Sequence, residues 1–336
     1  MARVDFLSPL FFLWFMKGSE NHECTGLKKR NDDFLYRGFC LYFGMVTASV
    51  MMNDHEIILP EIPAMAIAMW VYREAGWIRQ PSKIFIAPSI TAAIGFAINQ
   101  LSIAYLGKVI LTLVLIMLFL RLVQSNLAPS VATGLLPLVT NASEWSFIIS
   151  VFIFTLILML GVLIFGFNKG LEQKVKIQYK CMLVFLGLNF VWIALCWLAG
   201  YPQLAVIPPI LVVVYEVLQK PMYNGKMAFK QGLVLTISAM VGTLLYFAIN
   251  SWILVTLLDI ILMMILLRLV GIRMPAVYAF PLLPFVFPGG QVAAMLPIGA
   301  LIASVFFFAS LLAYKKFEMK RNGKVMQVSN DTNVPT

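Results

Sequence analysis

The chain has 336 residues, of which 61% are hydrophobic and 12% charged, with a mean hydropathy of +0.90. No water-soluble core buries that much apolar surface, so the composition excludes a soluble globular protein and predicts an all-α, polytopic transmembrane helical bundle. The formal charge of +10 is spread in short clusters between apolar runs, as orientation signals are, which argues against nucleic acid as a partner.

Residues 1–33 read as a cytoplasmic N-terminal segment. The apolar stretch within MARVDFLSPLFFLWFMKG is too short to span and is broken by Pro9, so it reads as an interfacial helix. Residues 17–33 are polar and basic and are expected to be aqueous and mobile. A first membrane repeat, 34–167, carries apolar segments near 34–52, 57–72, 84–105, 109–125, 127–140 and 145–167. A basic linker, 168–177, leads to a second repeat, 178–314, with segments near 178–199, 204–219, 231–250, 252–270, 275–288 and 291–314. The polar tail 315–336 returns to the cytoplasm. Twelve segments result, several of them shorter than the roughly 20 residues a bilayer core asks of a helix.

An internal match decides how to read the short ones. LFLRLVQSNLAPSVATGLLPLV (118–139) aligns without a gap on ILLRLVGIRMPAVYAFPLLPFV (265–286), placing Arg121 on Arg268 and Pro137 on Pro284. FAIN recurs at 96–99 and 247–250, and VYREAGWIRQP (71–81) resembles VYEVLQKP (214–221). Two repeats of about six segments follow. With all twelve crossing and both ends inside, the loops holding Arg73, Arg79, Lys83, Lys169, Lys220 and Lys230 fall on the inner side, and Lys108 is the exception. An even number of crossings per half makes the repeats parallel, an arrangement shared by transporters and channels.

Proline clusters stand in matching places: Pro60 and Pro63 against Pro208 and Pro209, and Pro129 and Pro137 against Pro275, Pro281 and Pro284. Such breaks free backbone groups that protein or water must satisfy, and in matching positions they point to a transport site; packed, kinked helices are the structural alternative. Two carboxyls fall inside apolar zones, where a charge is costly. Asp259 lies seven residues into its span and reads as a proton carrier, a polar tether or a locally paired helix residue. Glu61 sits between two prolines and reads as a site residue or as one reaching the outer headgroups. Arg121 and Arg268 recur at one depth, before helix starts at Pro129 and Pro275, with Arg273 beside the second. They read either as anion-binding groups between the halves or as anchors snorkelling to the inner interface.

No catalytic constellation is present. His22 and His55 lack metal-spaced partners, no nucleotide-binding motif occurs, and no metal or cofactor is expected, so the chain reads as not an enzyme. Cys24, Cys40, Cys181 and Cys196 have no zinc or redox spacing and read as small buried hydrophobes.

The pattern RLVGIRMPAVYAFPLLPFV (268–286), and more weakly RLVQSNLAPSVATGLLPLV (121–139), resembles the HPP family of integral membrane proteins, named for a His-Pro-Pro tripeptide. Here Arg273-Met274-Pro275 and Leu127-Ala128-Pro129 stand in its place. The resemblance spans most of 57–314 as a tandem pair. Because some members of that family are linked to nitrite transport, it implies a transporter or facilitator of a small anion in a bacterial plasma membrane. The rival reading is a non-transporting assembly partner or sensor. The expected partners are the lipid bilayer and a small solute, and homo-oligomerisation stays open.

Overall fold

The structure is a computed structural model that describes residues 25–172, 178–287 and 289–331. The N-terminal interfacial helix and residues 173–177, the second half of the basic linker, lie outside the described residues. Within them every regular element is helical: α1 (Thr25–Met52), α2 (Glu61–Ala66), α3 (Pro81–Asn99), α4 (Tyr105–Leu122), α5 (Pro129–Thr140), α6 (Trp145–Ile164), α7 (Tyr179–Leu198), α8 (Pro208–Gln219), α9 (Gly225–Ala248), α10 (Trp252–Val270), α11 (Leu283–Val286) and α12 (Gly290–Asp331).

Nine spans among the described residues are long and apolar enough to cross a membrane, so the chain is an integral membrane protein. Helices are the natural solution in lipid, where each backbone N–H and C=O must find its partner within the chain. The outward faces carry Phe152, Leu183, Phe247 and Ile302. These side chains are stable there because the surrounding solvent is hydrocarbon.

Local chemistry sets the boundaries. Pro81, Pro129 and Pro208 each open a helix, where a missing N–H costs nothing. The segment expected at 275–288 is instead three short pieces, Pro275–Tyr278, Phe280–Leu282 and α11. Pro275, Pro281 and Pro284 each remove a donor, and no regular ladder survives three removals in ten residues. In α12, Pro297 frees the carbonyl of Ala293, and the Thr243 hydroxyl of α9 donates to that oxygen at 3.4 Å. Three sequence expectations change. α1 begins at Thr25, within the stretch read as mobile; α12 runs past 314 to Asp331; and Cys40 is exposed, while Cys181 and Cys196 are buried.

The helix ends gather at two poles. At the basic pole the Lys83 ammonium donates to the Gln124 carbonyl after α4, and the Lys230 ammonium donates to the Val270 carbonyl of α10 at 2.7 Å. Buried Lys315 donates to the Leu218 carbonyl at the end of α8 at 3.0 Å. At the opposite pole Asn99 donates to the Ala142 carbonyl at 2.9 Å, and Lys108 donates to the Asn99 carbonyl at 2.6 Å. The Glu56 carboxylate accepts the backbone N–H groups of Ser143 and Glu144 at 2.8 and 2.9 Å, just before α6.

Close backbone approaches set the interior. α3 lies along α5 with Gly95 directly on the Gly134 carbonyl, and α9 lies along the Phe280–Leu282 turn with Gly242 on the Pro281 backbone. α2 and the first two turns of α8 are buried, so these two short helices lie inside the bundle.

Candidate functional site

α2 follows Pro60 and is α-helical only to Ala66, after which a π turn covers Ile67–Val71. Wide turns of this kind free backbone geometry and frequently occur at functional sites. The first residue of α2 is Glu61, 4% exposed. Neither of its carboxylate oxygens receives a hydrogen bond from another described residue, and the neighbouring polar group is its own backbone N–H. An unpartnered carboxylate in an apolar setting costs several kcal/mol, on the order of the loss of a full buried hydrogen-bond set.

Glu61 lines a narrow cavity of about 20 Å³, room for about one water. α8 supplies Pro209, Val212, Val213 and Glu216, whose spacing presents one helix face. Pro129 at the start of α5, Met274, Pro275, Ala276 and Ala279 in the broken segment, and Trp77 complete the lining. Of the site residues expected from sequence, the fold therefore brings together Glu61, Pro129 and Pro275. Glu61 does not reach the outer headgroups, since it is buried.

Towards the basic pole the cavity wall ends in charge. Glu216 pairs with Lys220 at 2.8 Å one turn on. Half-buried Glu74 lies in the field of Glu216, Lys220 and Arg273; burial, then Glu216, pushes its carboxyl above the usual carboxylate value, against the pull of Lys220 and Arg273.

The remaining expected residues lie elsewhere. Asp259 of α10 is fully buried against α1, its two oxygens without a hydrogen bond from any described residue, and the Tyr42 side chain of α1 lies within its electrostatic reach. That hydroxyl is also buried without a hydrogen-bond partner among the described residues, and Asp259 accepts no hydrogen bond from any of them. Arg121 is exposed at the end of α4, its guanidinium 4.8 Å from the centre of the Tyr179 ring. Arg268 and Arg273 are exposed near the end of α10. None of the three arginines lines the cavity. The anion-receptive start expected at Pro129 is also occupied, because the N–H groups of Ser130 and Val131 donate to Leu127 and Ala128 carbonyls at 3.2 and 3.1 Å. His55 packs against Trp252 at a tilt of 45°, with ring centroids 4.7 Å apart. No group of three metal-ligating side chains occurs among the described residues.

Sequence reasoning overlooked Glu216, Trp77 and Tyr42. The first two lie in the paired stretches VYEVLQKP and VYREAGWIRQP, and that pairing was the available signal. Tyr42 lies on a continuous apolar helix and carried none. The chain matches no family model, no curated protein and no solved structure.

Proposed function

We propose that the chain is a transporter or facilitator of a small solute, built from two parallel repeats of six crossings, with its path through the cavity that α2 and α8 both line. The observation that carries this is the buried, unpartnered Glu61 carboxyl in a cavity walled by both proline-broken segments. Such a group either holds a proton or waits for a ligand that satisfies it. Glu61 is read here as the proton-exchanging group, with Glu216 and Glu74 leading to it from the basic pole.

The duplication is supported by contacts that recur at a shift of 147 residues, the shift that puts Arg121 on Arg268. Gly95 on Gly134 recurs as Gly242 on Pro281, and the Lys83 and Lys230 caps recur likewise. Gln124 and Gly271, also 147 apart, both take left-handed backbone after their helices. Twelve crossings are supported because the chain passes from one pole to the other between Glu56 and Glu74, between Asn126 and Asn141, and between Val270 and Phe287. The basic pole, by its excess of Lys and Arg, is read as cytoplasmic, with both termini there.

Among the described residues the cavity walls offer two carboxyls and no Lys or Arg. A small anion is therefore best carried together with a proton on Glu61, attracted first by Arg273 and Lys220. The resemblance to the HPP family favours a nitrite-like anion. A non-transporting assembly partner or sensor is the second reading, favoured by the narrowness of the cavity. The test is uptake into proteoliposomes of nitrite, nitrate and formate with and without an imposed pH gradient. Parent protein should respond to the gradient and Glu61→Gln should not. No flux of any solute under either condition supports the second reading, and an unchanged response in Glu61→Gln removes Glu61 from the mechanism.

A further inference from the structure

Asp259, the buried carboxyl outside the Glu61 cavity, sits seven residues, roughly 10 Å, past the start of α10. It is 0% exposed, on the side of α10 that packs against α1. From α1 the Tyr42 side chain, 1% exposed, comes within its electrostatic reach. Neither carboxylate oxygen of Asp259 nor the Tyr42 hydroxyl has a hydrogen-bond partner among the described residues.

The shift of 147 residues that puts Arg121 on Arg268 also puts Tyr42 on Asn189 and Thr112 on Asp259. The contact of α1 with α10 has its counterpart in that of α7 with α4. Thr112 and Asn189 are buried there, and the Thr112 hydroxyl and the Asn189 side-chain carbonyl again have no partner among the described residues. Buried polar atoms without bonds are costly, and a packing accident has no reason to recur at one shift. Of the two matching pairs, only Tyr42 with Asp259 includes a carboxyl.

The charge around Asp259 narrows what it can hold. Besides α1, the elements packed against α10 are α9 and the turns Pro275–Tyr278 and Phe280–Leu282. On α9, Lys226 and Lys230 stand in the first turns, where Lys230 caps the Val270 carbonyl at the basic pole, and Tyr246 packs on Phe285. Tyr278 lies in the fields of Tyr72 and Arg268. No charged side chain among the described residues acts on Asp259. An ionised Asp259 would thus stand in an apolar seam with no cation to balance it. A metal cation fits poorly, because hard cations take about six oxygens and α1 and α10 are unbroken at this depth, with their carbonyls committed to their own ladders. A proton asks for one acceptor.

We propose that Asp259 and Tyr42 form a proton-binding site separate from Glu61, and that the proton on Asp259 holds α10 against α1. The neutral carboxyl donates to the Tyr42 oxygen when the two side chains turn toward each other. When the seam opens, Asp259 gives this proton to water and becomes a carboxylate. The proton binds here whether or not a solute crosses at Glu61.

The test uses the full chain in detergent, in a Glu61→Gln background so that the cavity carboxyl contributes nothing. The infrared difference between this protein and the same protein carrying Asp259→Asn should contain the carbonyl band of a protonated carboxyl at neutral pH. Tyr42→Phe, which removes only a hydroxyl without a partner, should move that band to higher frequency, as loss of an acceptor does. The seam is read by labelling a single cysteine at Val46, buried one turn from Tyr42 on the same face of α1. The ratio of its labelling rates with Asp259 and with Asp259→Asn should rise by about tenfold per pH unit, because opening releases one proton in the first protein and none in the second. Replacing choline chloride with sodium chloride should leave the band unchanged. Absence of the band, a band that Tyr42→Phe leaves in place, or a rate ratio that does not change with pH overturns the proposal. A band that sodium abolishes also overturns it, by assigning the site to a metal cation.

Discussion

Gly95 of α3 rests directly on the carbonyl of Gly134 in α5, with no side chain between the two backbones. In lipid the hydrophobic effect does not drive helices together, and close contact of small residues supplies the dispersion energy that does. The approach also holds α5 in position, and with it Pro129 at the wall of the Glu61 cavity.

Gly95→Ala and Gly242→Ala should each destabilise the fold by about 1–3 kcal/mol, since the added methyl meets backbone atoms that cannot turn aside. Gly44→Ala and Gly187→Ala, where the methyl meets nothing, should be neutral or slightly stabilising as helix positions. Thermal unfolding in detergent measures the difference. A Gly95→Ala midpoint equal to that of Gly187→Ala would show that the helices separate without cost.

Glu56 acts as a remote cap. Its two bonds to the N–H groups of Ser143 and Glu144 satisfy donors at the start of α6 and place a negative charge at the positive end of that helix. Glu56→Ala should cost about 1–2 kcal/mol. Glu56→Gln, which keeps one acceptor and loses the charge, should fall between it and the parent. Hydrogen exchange at the first turn of α6 should rise in the same order.

Glu61→Met replaces an unpartnered buried carboxyl with an apolar side chain of similar length. Stability should hold or rise by about 1–3 kcal/mol, the usual penalty of an unsatisfied polar group, while gradient-driven uptake is lost. A variant that unfolds many degrees below the parent would mean that the carboxyl has a structural partner, and the proton-exchange reading would fall with it.

Glu74 gives the stability a pH dependence whose sign follows from its neighbours. Its folded-state value lies above the ordinary 4.5 because burial and Glu216 oppose the charge. The folded state thus binds this proton more tightly than the unfolded state, and stability declines as pH rises from the ordinary value to the raised one. Glu74→Gln should flatten that decline and unfold at a higher temperature than the parent at neutral pH. Unfolding midpoints of both proteins between about pH 4 and 8 test it, and parallel curves would be the contrary result.

For orientation, single cysteines at Asn141 and Lys169 in a cysteine-free background should label from opposite sides of sealed vesicles, Asn141 from outside. Labelling of both from one side would break the alternation on which twelve crossings depend.

The class of the protein was legible in composition because the cost of placing residues in water or hydrocarbon is paid residue by residue. Segment positions, the three breaks at Pro275, Pro281 and Pro284, and the basic clustering were legible for the same reason: each depends on a residue and its close neighbours along the chain. The site was legible only in part. Glu61, Pro129 and Pro275 stood out singly, yet nothing local said that they meet one another and that Arg121, Arg268 and Asp259 do not join them. Arg121 could equally have turned inward; its resting place against Tyr179 depends on a helix almost sixty residues away. Glu216 and Tyr42 were overlooked because their importance lies in what packs opposite. In a bundle whose helices are nearly all apolar on every face, hydropathy does not say which face meets which. That choice is made by shape, through contacts such as Gly95 on Gly134, and only the tertiary structure decided it.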